Sequence, residues 1–309
     1  MVVVEVNGQL YDVTRYMKFH PGGKLVFDMH DGDDITDILV SKHIHKHSHN
    51  AFNLLGSNAV PKSSAAPTFS TYHEDPNIPI QDRLRNMHMD YNTWTYLPIL
   101  NEPQYRIFKS AVLEFFTLSP WYLVLIWLPV ALFCAVLGFV KSHDLLSVLT
   151  LSIVGFLCWV PFEYYVHKYV FHLRSNNRYL QIVQFIIHGN HHKNPLSEKR
   201  LVFPVIPAGV ILFCIYSILR LLVNAGQCLS FLSGFIVSYV LYDLTHYAVH
   251  FVPEKWFKKR RTTLIGHRIT NFMKRIRQNH FKHHFDDHTK HFGISPQLNL
   301  LLWQISLFY

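Results

Sequence analysis

The chain has 309 residues, of which 50% are hydrophobic, 15% are aromatic and only 16% are charged. So low a charged fraction is unusual for a soluble globular protein and favours a chain that is partly embedded in lipid. The formal net charge is +9 at pH 7, but most of the excess falls between Lys255 and Lys290, after the apolar segments. A basic segment in that position fits the inner surface of a membrane, so we expect no nucleic-acid partner.

The cysteines and the N-terminus exclude two further classes of protein. The four cysteines lie in or beside apolar runs and form no CxxC pair, which argues against a disulfide framework and a thiolate metal site. The N-terminus lacks a basic region followed by an apolar stretch and a cleavage site. We therefore expect no signal peptide and a cytosolic N-terminal segment.

Residues 1–57 are predicted to form a small soluble α+β unit. Two predicted strands, Val2–Val6 and Leu10–Val13, flank the turn Asn7-Gly8. Two short helices are predicted after them, Asp33–Val40 and Ala51–Leu55. Residues 58–80 are rich in proline and serine, show no apolar period and predict a linker. Residues 81–309 form the remaining domain. Its first part carries Trp94, Tyr96 and Tyr105, aromatic residues suited to the headgroup region of a bilayer.

Four apolar runs in this domain predict transmembrane helices: Trp121–Val140, Leu145–Val160, Leu201–Val223 and Cys228–Leu241. A span needs about twenty apolar residues, so the second and fourth runs must continue towards His167 and His250. Short connections join the runs into two helical hairpins. Because residues 172–200 and 251–309 carry the Lys and Arg excess, both hairpins should open to the cytosol, where both termini also lie. The expected fold is therefore mainly α, an integral membrane protein with about four transmembrane helices and a cytosolic histidine-rich helical cap.

The 22 histidines are the anomaly of the composition, and ten of them form a pattern that occurs twice. In each copy a hairpin ends in a histidine pair, and a histidine triplet follows. Residues three and four apart share one face of a helix, so each triplet should present its imidazoles to one side. We predict that all ten are ligands of two catalytic metals, with four or five nitrogens each. They are His167, His172, His188, His191 and His192, then His246, His250, His280, His283 and His284.

The surroundings of these histidines leave alternatives open. His167 and His172 are five residues apart, which rotates them by about 140° on an ideal helix. They either serve different metals or lie where the helix distorts. Glu163 and Asp243 precede His167 and His246 on the same helical faces, so each is either a partner of the outer ring N–H or an acid near the interface. His288 and His291 are alternatives to members of the last triplet.

Neutral imidazole suits iron, zinc and copper alike, so the reaction must decide the metal. Zinc has no redox chemistry and would leave the N-terminal unit without a role. The prediction is therefore two iron ions that activate O2, although these ligands do not exclude zinc as the occupant.

The N-terminal unit carries a candidate haem site in the string HPGG, which begins at His20. Two glycines let the backbone approach a flat cofactor, and the proline fixes the turn that presents His20. His47 is the predicted second ligand, with His45 and His49 as alternatives. A haem held by two histidines has no open position and therefore transfers electrons.

Together these motifs resemble known families. The string NGQLYDV, then HPGG, His47-Ser48 and the closing LLG resemble the cytochrome b5 fold. Residues 163–293 resemble the fatty acid hydroxylase superfamily. Within them, EYYVHKYVFH, HGNHH followed by RLVFP, YDLTHYAVH and HFKHHFDDHTKHFGIS resemble the fatty acid 2-hydroxylases in particular.

The resemblance implies a reaction, its cofactors and its partners. One oxygen atom of O2 enters carbon 2 of the long acyl chain of a ceramide-type sphingolipid or fatty acyl lipid, in the endoplasmic reticulum membrane. Two metals lie at the ten histidines, and haem b at His20 and His47 delivers electrons from a cytochrome b5 reductase or an NADPH-dependent reductase. The N-terminal unit lacks the usual leading strand of the cytochrome b5 fold, which leaves a separate cytochrome b5 as an alternative donor.

Other functions share part of this pattern. A sterol or carotenoid oxidase or a lipid desaturase of the same superfamily would use the same metals. A transition-metal transporter would need polar residues inside its spans, which are nearly absent between Trp121 and Val160. A membrane-anchored haem protein that only relays electrons would leave the ten clustered histidines without a role.

Overall fold

The computed structural model of the chain describes residues 2–18, 20, 27, 30–36, 39, 47, 49–60, 77–87, 90–96, 106–195, 197–252, 264–285 and 287–295. Part of the predicted helix Asp33–Val40, the two glycines of HPGG, and Tyr105 lie outside these residues. The described chain is mainly helical, with one two-stranded sheet near the N-terminus.

The N-terminal module begins with a β-hairpin. Strands β1 (Val3–Val6) and β2 (Gln9–Asp12) pair antiparallel, with Val3 opposite Asp12. The turn places Asn7 at φ 51° and Gly8 at φ 75°, which are the two left-handed residues of the tight turn that suits a twisted hairpin. Helix α1 spans His49–Gly56. The two predicted strands and the second predicted helix are confirmed, with ends shifted by one or two residues.

The residues after α1 return to the hairpin. The Asp12 amide donates to the Asn58 carbonyl at 2.9 Å, and the Val60 amide donates to the Leu10 carbonyl at 2.8 Å. Residues 58–60 therefore lie beside β2 and belong to the same packed unit.

Three short helices precede the membrane spans: α2 (Ile80–Asn86), α3 (Tyr91–Thr95) and α4 (Ala111–Phe115). Trp94 in α3 is buried in a cluster with Phe185, and Tyr96 is 9% exposed. The expectation that Trp94 and Tyr96 lie among lipid headgroups is therefore wrong, because both aromatic rings are covered by the protein itself. By contrast, α4 exposes three large apolar side chains: Val112, Leu113 and Phe115.

The remaining helices are α5 (Trp127–Ser142), α6 (Leu145–Val166), α7 (Arg178–Gln184), α8 (Asn190–Lys193), α9 (Val205–Leu219), α10 (Ala225–Phe251) and α11 (Leu264–Phe285). Among the residues that the structure describes, four segments are long and apolar enough to cross a membrane: Trp121–Ser142, Leu145–Phe171, Glu198–Leu219 and Ala225–Phe251. The chain is thus a membrane protein, and the predicted count of about four spans agrees.

Capping residues fix where the spans begin. Asp144 accepts the amides of Leu146 and Ser147 at the start of α6, so the turn between α5 and α6 is tight. Asn224 and Gln227 form a reciprocal capping box at the start of α10. The third predicted run began at Leu201, but the regular α-helix begins only at Val205, after Pro204.

Helix α10 is the centre of the membrane domain. In its most apolar stretch 67% of the residues are buried, whereas in the other three spans only 17–22% are buried and apolar side chains are exposed. It packs along α5 and α6, and small residues allow the close approach. A methyl group on Gly155 of α6 would overlap the Phe231 carbonyl, and one on Gly234 of α10 would overlap the Ser152 carbonyl.

Helix α11 lies across the end of α10. The Arg277 guanidinium donates to the carbonyls of Ala248 (2.9 Å) and Val252 (2.5 Å) at the C-terminal end of α10. The buried side of α11 includes Ile276, Phe281 and Phe285. This placement brings the last histidine triplet to the ends of the spans.

Candidate metal centre

The first histidine pair lies where α6 widens into a π-helical turn, His167–Phe171. The His172 amide donates to the His167 carbonyl at 3.2 Å, five residues back. A turn closed in this way brings residues five apart to nearly the same face, which an ideal α-helix would not do. Of the two alternatives predicted for this pair, the helix distortion is the one that the structure contains, and both imidazoles reach the same group.

The first triplet follows a second π-helical turn, Phe185–Gly189, which leads directly into α8. His188 and His192 project towards the first pair, because their Nε2 atoms lie 3.0 Å apart and that of His192 lies 3.2 Å from that of His172. His191 projects the other way, with its Nε2 atom 2.9 Å from that of His246. The triplet therefore divides between two sites.

The last triplet divides in the same manner. His283 reaches the first site, where its Nε2 atom lies 3.0 Å from that of His172. His280 and His284 face the pair on α10, and the Nε2 atom of His280 lies 2.8 Å from that of His250. The expectation that each triplet presents all its imidazoles to one side is wrong, since one member of each faces the opposite site.

The ten predicted histidines thus form two groups of five, each with its ligand atoms within 4.8 Å of one another. All ten are 9% exposed or less. The groups are adjacent, because the rings of His192 and His284 stack with centroids 4.3 Å apart. Group A contains His167, His172, His188, His192 and His283, and group B contains His191, His246, His250, His280 and His284.

The spacing of the imidazole nitrogens fits a cation in each group, and in group A two ring protons can be placed. Nδ1 of His167 lies 2.5 Å from the Phe292 carbonyl, and Nδ1 of His283 lies 2.6 Å from the Lys290 carbonyl. Carbonyls only accept, so these Nδ1 atoms carry the protons and the Nε2 atoms present lone pairs. Lone pairs converging at 2.8–3.2 Å would repel without a cation between them. Nitrogens bound at about 2.1 Å and at right angles on one metal lie about 3 Å apart, which matches this spacing.

Burial keeps these side chains in the form that binds metal. Desolvation lowers the pKa of each histidine of groups A and B that lies outside the spans, and neighbouring imidazoles lower the pKa further because two like charges would repel. The ligands are therefore neutral near pH 7, as metal binding requires. The affected residues are His172, His188, His191, His192, His280, His283 and His284.

The two acids near the pairs act differently from the prediction. Glu163 accepts the Ile294 amide at 3.1 Å instead of an N–H of His167. Asp243 accepts the Phe203 amide at 3.3 Å, and no hydrogen bond joins it to His246 in the described part of the chain. Each carboxylate therefore fixes a neighbouring backbone segment. Of the two alternatives left open for these acids, neither describes the structure, since each carboxylate accepts a backbone amide and both side chains are buried.

Two further residues of the site were missed in the sequence because each contacts a partner that is distant along the chain. The Tyr96 hydroxyl lies 3.0 Å from Nδ1 of His172, and the two rings stack with centroids 5.3 Å apart. Lys193, which is 4% exposed, donates from Nζ to the Trp94 carbonyl at 2.8 Å and so ties α8 to α3. His288 stacks on Tyr96 at 3.9 Å, outside both groups. The proximity of His288 to the last triplet in the sequence was the available signal that this residue lies near the site.

The N-terminal module brings its two candidate haem ligands together. The rings of His20 and His47 have centroids 6.3 Å apart and planes inclined by 27°. Two imidazoles that share one iron through bonds of about 2 Å have ring centres roughly 6 Å apart, so the pair fits haem iron. Nδ1 of His47 lies 3.1 Å from the Leu39 carbonyl, which leaves Nε2 for the metal. His45 and the side chain of His49, the alternative ligands, lie outside the described residues.

A narrow cleft reaches both histidine groups from the side of α4. Its wall contains His188 of group A and His191 and His246 of group B. The remaining wall is largely apolar and includes Phe171 and Phe203. Arg200, which is paired with Glu114 of α4, lies in the same wall with the other polar members Thr117, Asn190 and Asp243.

Comparisons with known proteins match both parts of the chain. The family model described as cytochrome b5-like heme/steroid binding domain matches residues 2–89, and the model described as fatty acid hydroxylase matches residues 152–301. Fatty acid 2-hydroxylase of Rattus norvegicus is 30% identical over 345 residues, covering 96% of this chain and 88% of the rat protein. Dihydroceramide fatty acyl 2-hydroxylase of Arabidopsis thaliana is also 30% identical, covering 72% of this chain and 89% of its own.

Two fungal comparisons extend the same pattern. Ceramide very long chain fatty acid hydroxylase of Saccharomyces cerevisiae is 24% identical, covering 94% of this chain and 86% of the yeast protein. A solved structure of full-length scs7p, in which only the hydroxylase domain is visible, superposes with a TM-score of 0.60 at 21% identity. It covers 79% of this chain and 92% of that one, and it shows that the fold is shared.

Proposed function

Because the chain belongs to the fatty acid 2-hydroxylase family, a family of hydroxylating oxidoreductases, we propose that it hydroxylates carbon 2 of the long acyl chain of ceramide-type lipids. The observation that carries the proposal is the presence, in one chain, of two adjacent five-histidine groups and a histidine pair spaced for haem. A metal centre does not by itself require a haem site, nor a haem site a metal centre. An oxygenase that consumes electrons needs both.

The histidines hold and orient the metals, and the surrounding chain excludes water. We propose iron in both groups, which would supply the reductive activation of O2 when bound. Five imidazole nitrogens would hold the iron in each group. Because every ligand is buried, the reacting atoms are shielded from bulk water that would quench an oxidant. The overall balance is one C–H bond, one O2, two electrons and two protons giving one C–OH and one water.

The cleft is the proposed approach of the lipid tail. Its apolar wall at Phe171 and Phe203 suits methylenes, and it ends at ligands of both groups. Helix α4 exposes Val112 (66%) and Phe115 (67%) beside it, which suits insertion into the bilayer surface. Thr117 and Arg200 lie in the same wall, where the polar head of the lipid would remain. Holding the head there would fix which methylene reaches the metals, and positioning of this kind selects carbon 2.

The membrane orientation is also part of the proposal. The Lys and Arg excess after the second and fourth spans favours the cytosolic side for the histidine groups, for the N-terminal module and for both termini. The proposed location is the endoplasmic reticulum membrane. A cytochrome b5 reductase or an NADPH-dependent reductase would then reach the haem from the cytosol.

The proposal is tested by lipid mass spectrometry of cells that express the intact chain and its variants. The wild type should accumulate ceramides with a 2-hydroxy acyl chain. His283→Ala/His284→Ala removes one ligand from each group and should abolish the product. His20→Ala should lower it strongly if the fused haem supplies the electrons, whereas full retention would indicate a separate donor.

Matched controls separate these effects from a general loss of histidine. His143→Asn changes an exposed histidine at the far end of the spans, and asparagine tolerates the left-handed backbone there (φ 52°). His30→Ala changes a half-buried histidine of the N-terminal module that is not a candidate haem ligand. Both variants should keep wild-type product. Absence of any 2-hydroxy lipid from well-expressed, iron-loaded wild type would contradict the proposed reaction.

A further inference from the structure

The N-terminal module touches the membrane domain at α11, the helix that carries the last triplet. The rings of Tyr16 and Phe285 meet edge to face, with centroids 6.1 Å apart and planes at 84°. Leu54 of α1 is 3% exposed and belongs to the same hydrophobic cluster as Phe281 and Phe285. The module is therefore packed against α11 through side chains from two of its segments.

This contact joins the haem-ligand pair to the metal centre through aromatic rings. The Tyr16 ring lies 5.7 Å from the His20 ring on one side and 6.1 Å from Phe285 on the other, by centroids. The Phe285 ring lies 5.8 Å from that of His284, a member of group B. Electron tunnelling weakens steeply with distance and is better through packed atoms than across a gap. A path of adjacent rings between the two centres is therefore a favourable route.

Charge favours the same docking. Residues 1–57 contain seven acidic and five basic residues, whereas α11 contains five basic residues and no acidic ones. Opposite net charges draw the module towards α11 and orient it before the apolar contact forms. The covalent connection also helps, because a short tether gives an effective concentration in the millimolar range, so a modest contact is sufficient.

We propose that the N-terminal module docks on α11 through Tyr16 and Phe285, and that electrons pass from haem held by His20 and His47 to group B across this contact. The inference rests on the proposed function for the identity of the two centres. Each transfer oxidises the haem iron by one electron and reduces the metal pair by one. A flavoprotein reductase must then reduce the haem again, twice for each hydroxylation. Tyr16 is a positioning residue here, since it touches neither substrate nor metal.

Photo-crosslinking tests the docking independently of the reaction. A benzophenone amino acid replaces Tyr16 in the full chain, and crosslinked peptides are identified by mass spectrometry after illumination. The expected partner is the 264–285 peptide. The matched control places the same probe at Tyr11, in β2 of the same module, and should give little of that product. The reciprocal probe at Phe285 should capture the N-terminal module. Equal capture of α11 from positions 16 and 11 would overturn the docking.

Haem spectroscopy tests the transfer. The full chain, loaded with haem and iron in lipid vesicles, is reduced and then mixed with O2, and the haem absorbance gives the reoxidation rate. Loss of an aromatic pair weakens docking by about 0.5–1.5 kcal/mol, so Tyr16→Leu should slow reoxidation by up to about tenfold. Tyr16→Phe keeps the ring and should restore the rate, and Tyr11→Leu should leave it unchanged. Haem and iron contents are measured in every sample.

Two results would overturn the transfer route. One is an unchanged rate in Tyr16→Leu, and the other is a wild-type rate that rises in proportion to protein concentration, as encounters between separate molecules require. If no hydroxylated lipid forms in any sample, the proposed function fails. The crosslinking result would still decide whether the module docks on α11.

Discussion

At the scale of single residues, the centre is organised by where each imidazole places its outer proton. His167 and His283 donate to carbonyls of the segment that follows α11, and His172 meets the Tyr96 hydroxyl. These contacts fix the tautomer and aim Nε2 inward. Backbone carbonyls and a side chain distant in the sequence therefore set the tautomer and orientation of histidines that the sequence places in recognisable motifs.

Tyr96→Phe should weaken metal binding in group A while leaving group B intact. The ring keeps its stacking on His172, but the oxygen that pairs with Nδ1 is lost. Loss of such an outer partner typically weakens metal binding about 10- to 100-fold. Metal content is measured by mass spectrometry after dialysis against a competing chelator. Tyr122→Phe, at an exposed position, is the control, and equal metal retention in the two variants would contradict the assignment.

Glu163 should act on His167 through the backbone. Its carboxylate holds the Ile294 amide, two residues after the carbonyl that receives the His167 proton. Glu163→Ala should release this segment and cost group A its metal, again by about 10- to 100-fold in affinity. Glu163→Gln keeps an oxygen that accepts the amide and should stay within a few-fold of wild type. If both variants lose metal equally, the carboxylate has a role beyond this hydrogen bond.

At the scale of elements, two irregularities in otherwise regular helices create the centre. The π-helical turns at His167–Phe171 and Phe185–Gly189 rotate the residues that follow them. They bring His172 beside His167, and they lead into α8, whose two histidines serve different groups. The regular parts of α6 and α10 must then keep the histidines of the two helices at fixed relative positions. Their close packing at small residues does this.

Gly155→Ala should destabilise the protein because its methyl group would overlap the Phe231 carbonyl of α10. Backbone does not yield as a flexible side chain does, so the helices must separate, at a cost of about 1–3 kcal/mol. The expected result is a lower temperature of half-aggregation in detergent. Gly209→Ala in α9 is the matched control, since its methyl group would make only ordinary contact with Trp127. Equal midpoints would mean that α6 and α10 are not in close contact there.

At the scale of the whole molecule, the two histidine groups join parts of the described chain that few other contacts connect. Group A takes ligands from the end of α6, the first triplet and α11, and group B takes them from α8, α10 and α11. Metal binding of this kind contributes directly to the stability of the fold. The cap of histidine-bearing helices should therefore depend on metal more than the spans do.

Removal of metal by a chelator should loosen this cap selectively. Without cations, ten buried imidazoles would hold converging lone pairs, and the segments that carry them should separate. Hydrogen–deuterium exchange should increase within residues 185–195 and 272–285, whereas α5 should remain protected. Restored metal should reverse the change. Exchange that rises equally in α5, or in neither segment, would show that the cap is stable without metal.

The sequence by itself determined the elements and the chemistry. Apolar runs placed four spans, the doubled pattern of pairs and triplets selected all ten clustered histidines, and HPGG with His47 marked the second pair. These features are local, because hydropathy and helical spacing act over a few residues. That is why β1 and β2 were predicted to within one residue of their ends, and the four spans were predicted in number and position but less exactly at their ends.

Only the tertiary structure decided how these residues combine. The arrangement of the first pair and the first triplet depends on two π-helical turns that an ideal helical period does not contain, whereas the last triplet is divided between groups A and B on the regular helix α11. The contacts of Tyr96 with His172, of Glu163 with Ile294 and of Tyr16 with Phe285 join residues 76, 131 and 269 positions apart. Contacts at such separations arise from packing, which no local pattern records, and they fix which nitrogen faces which metal.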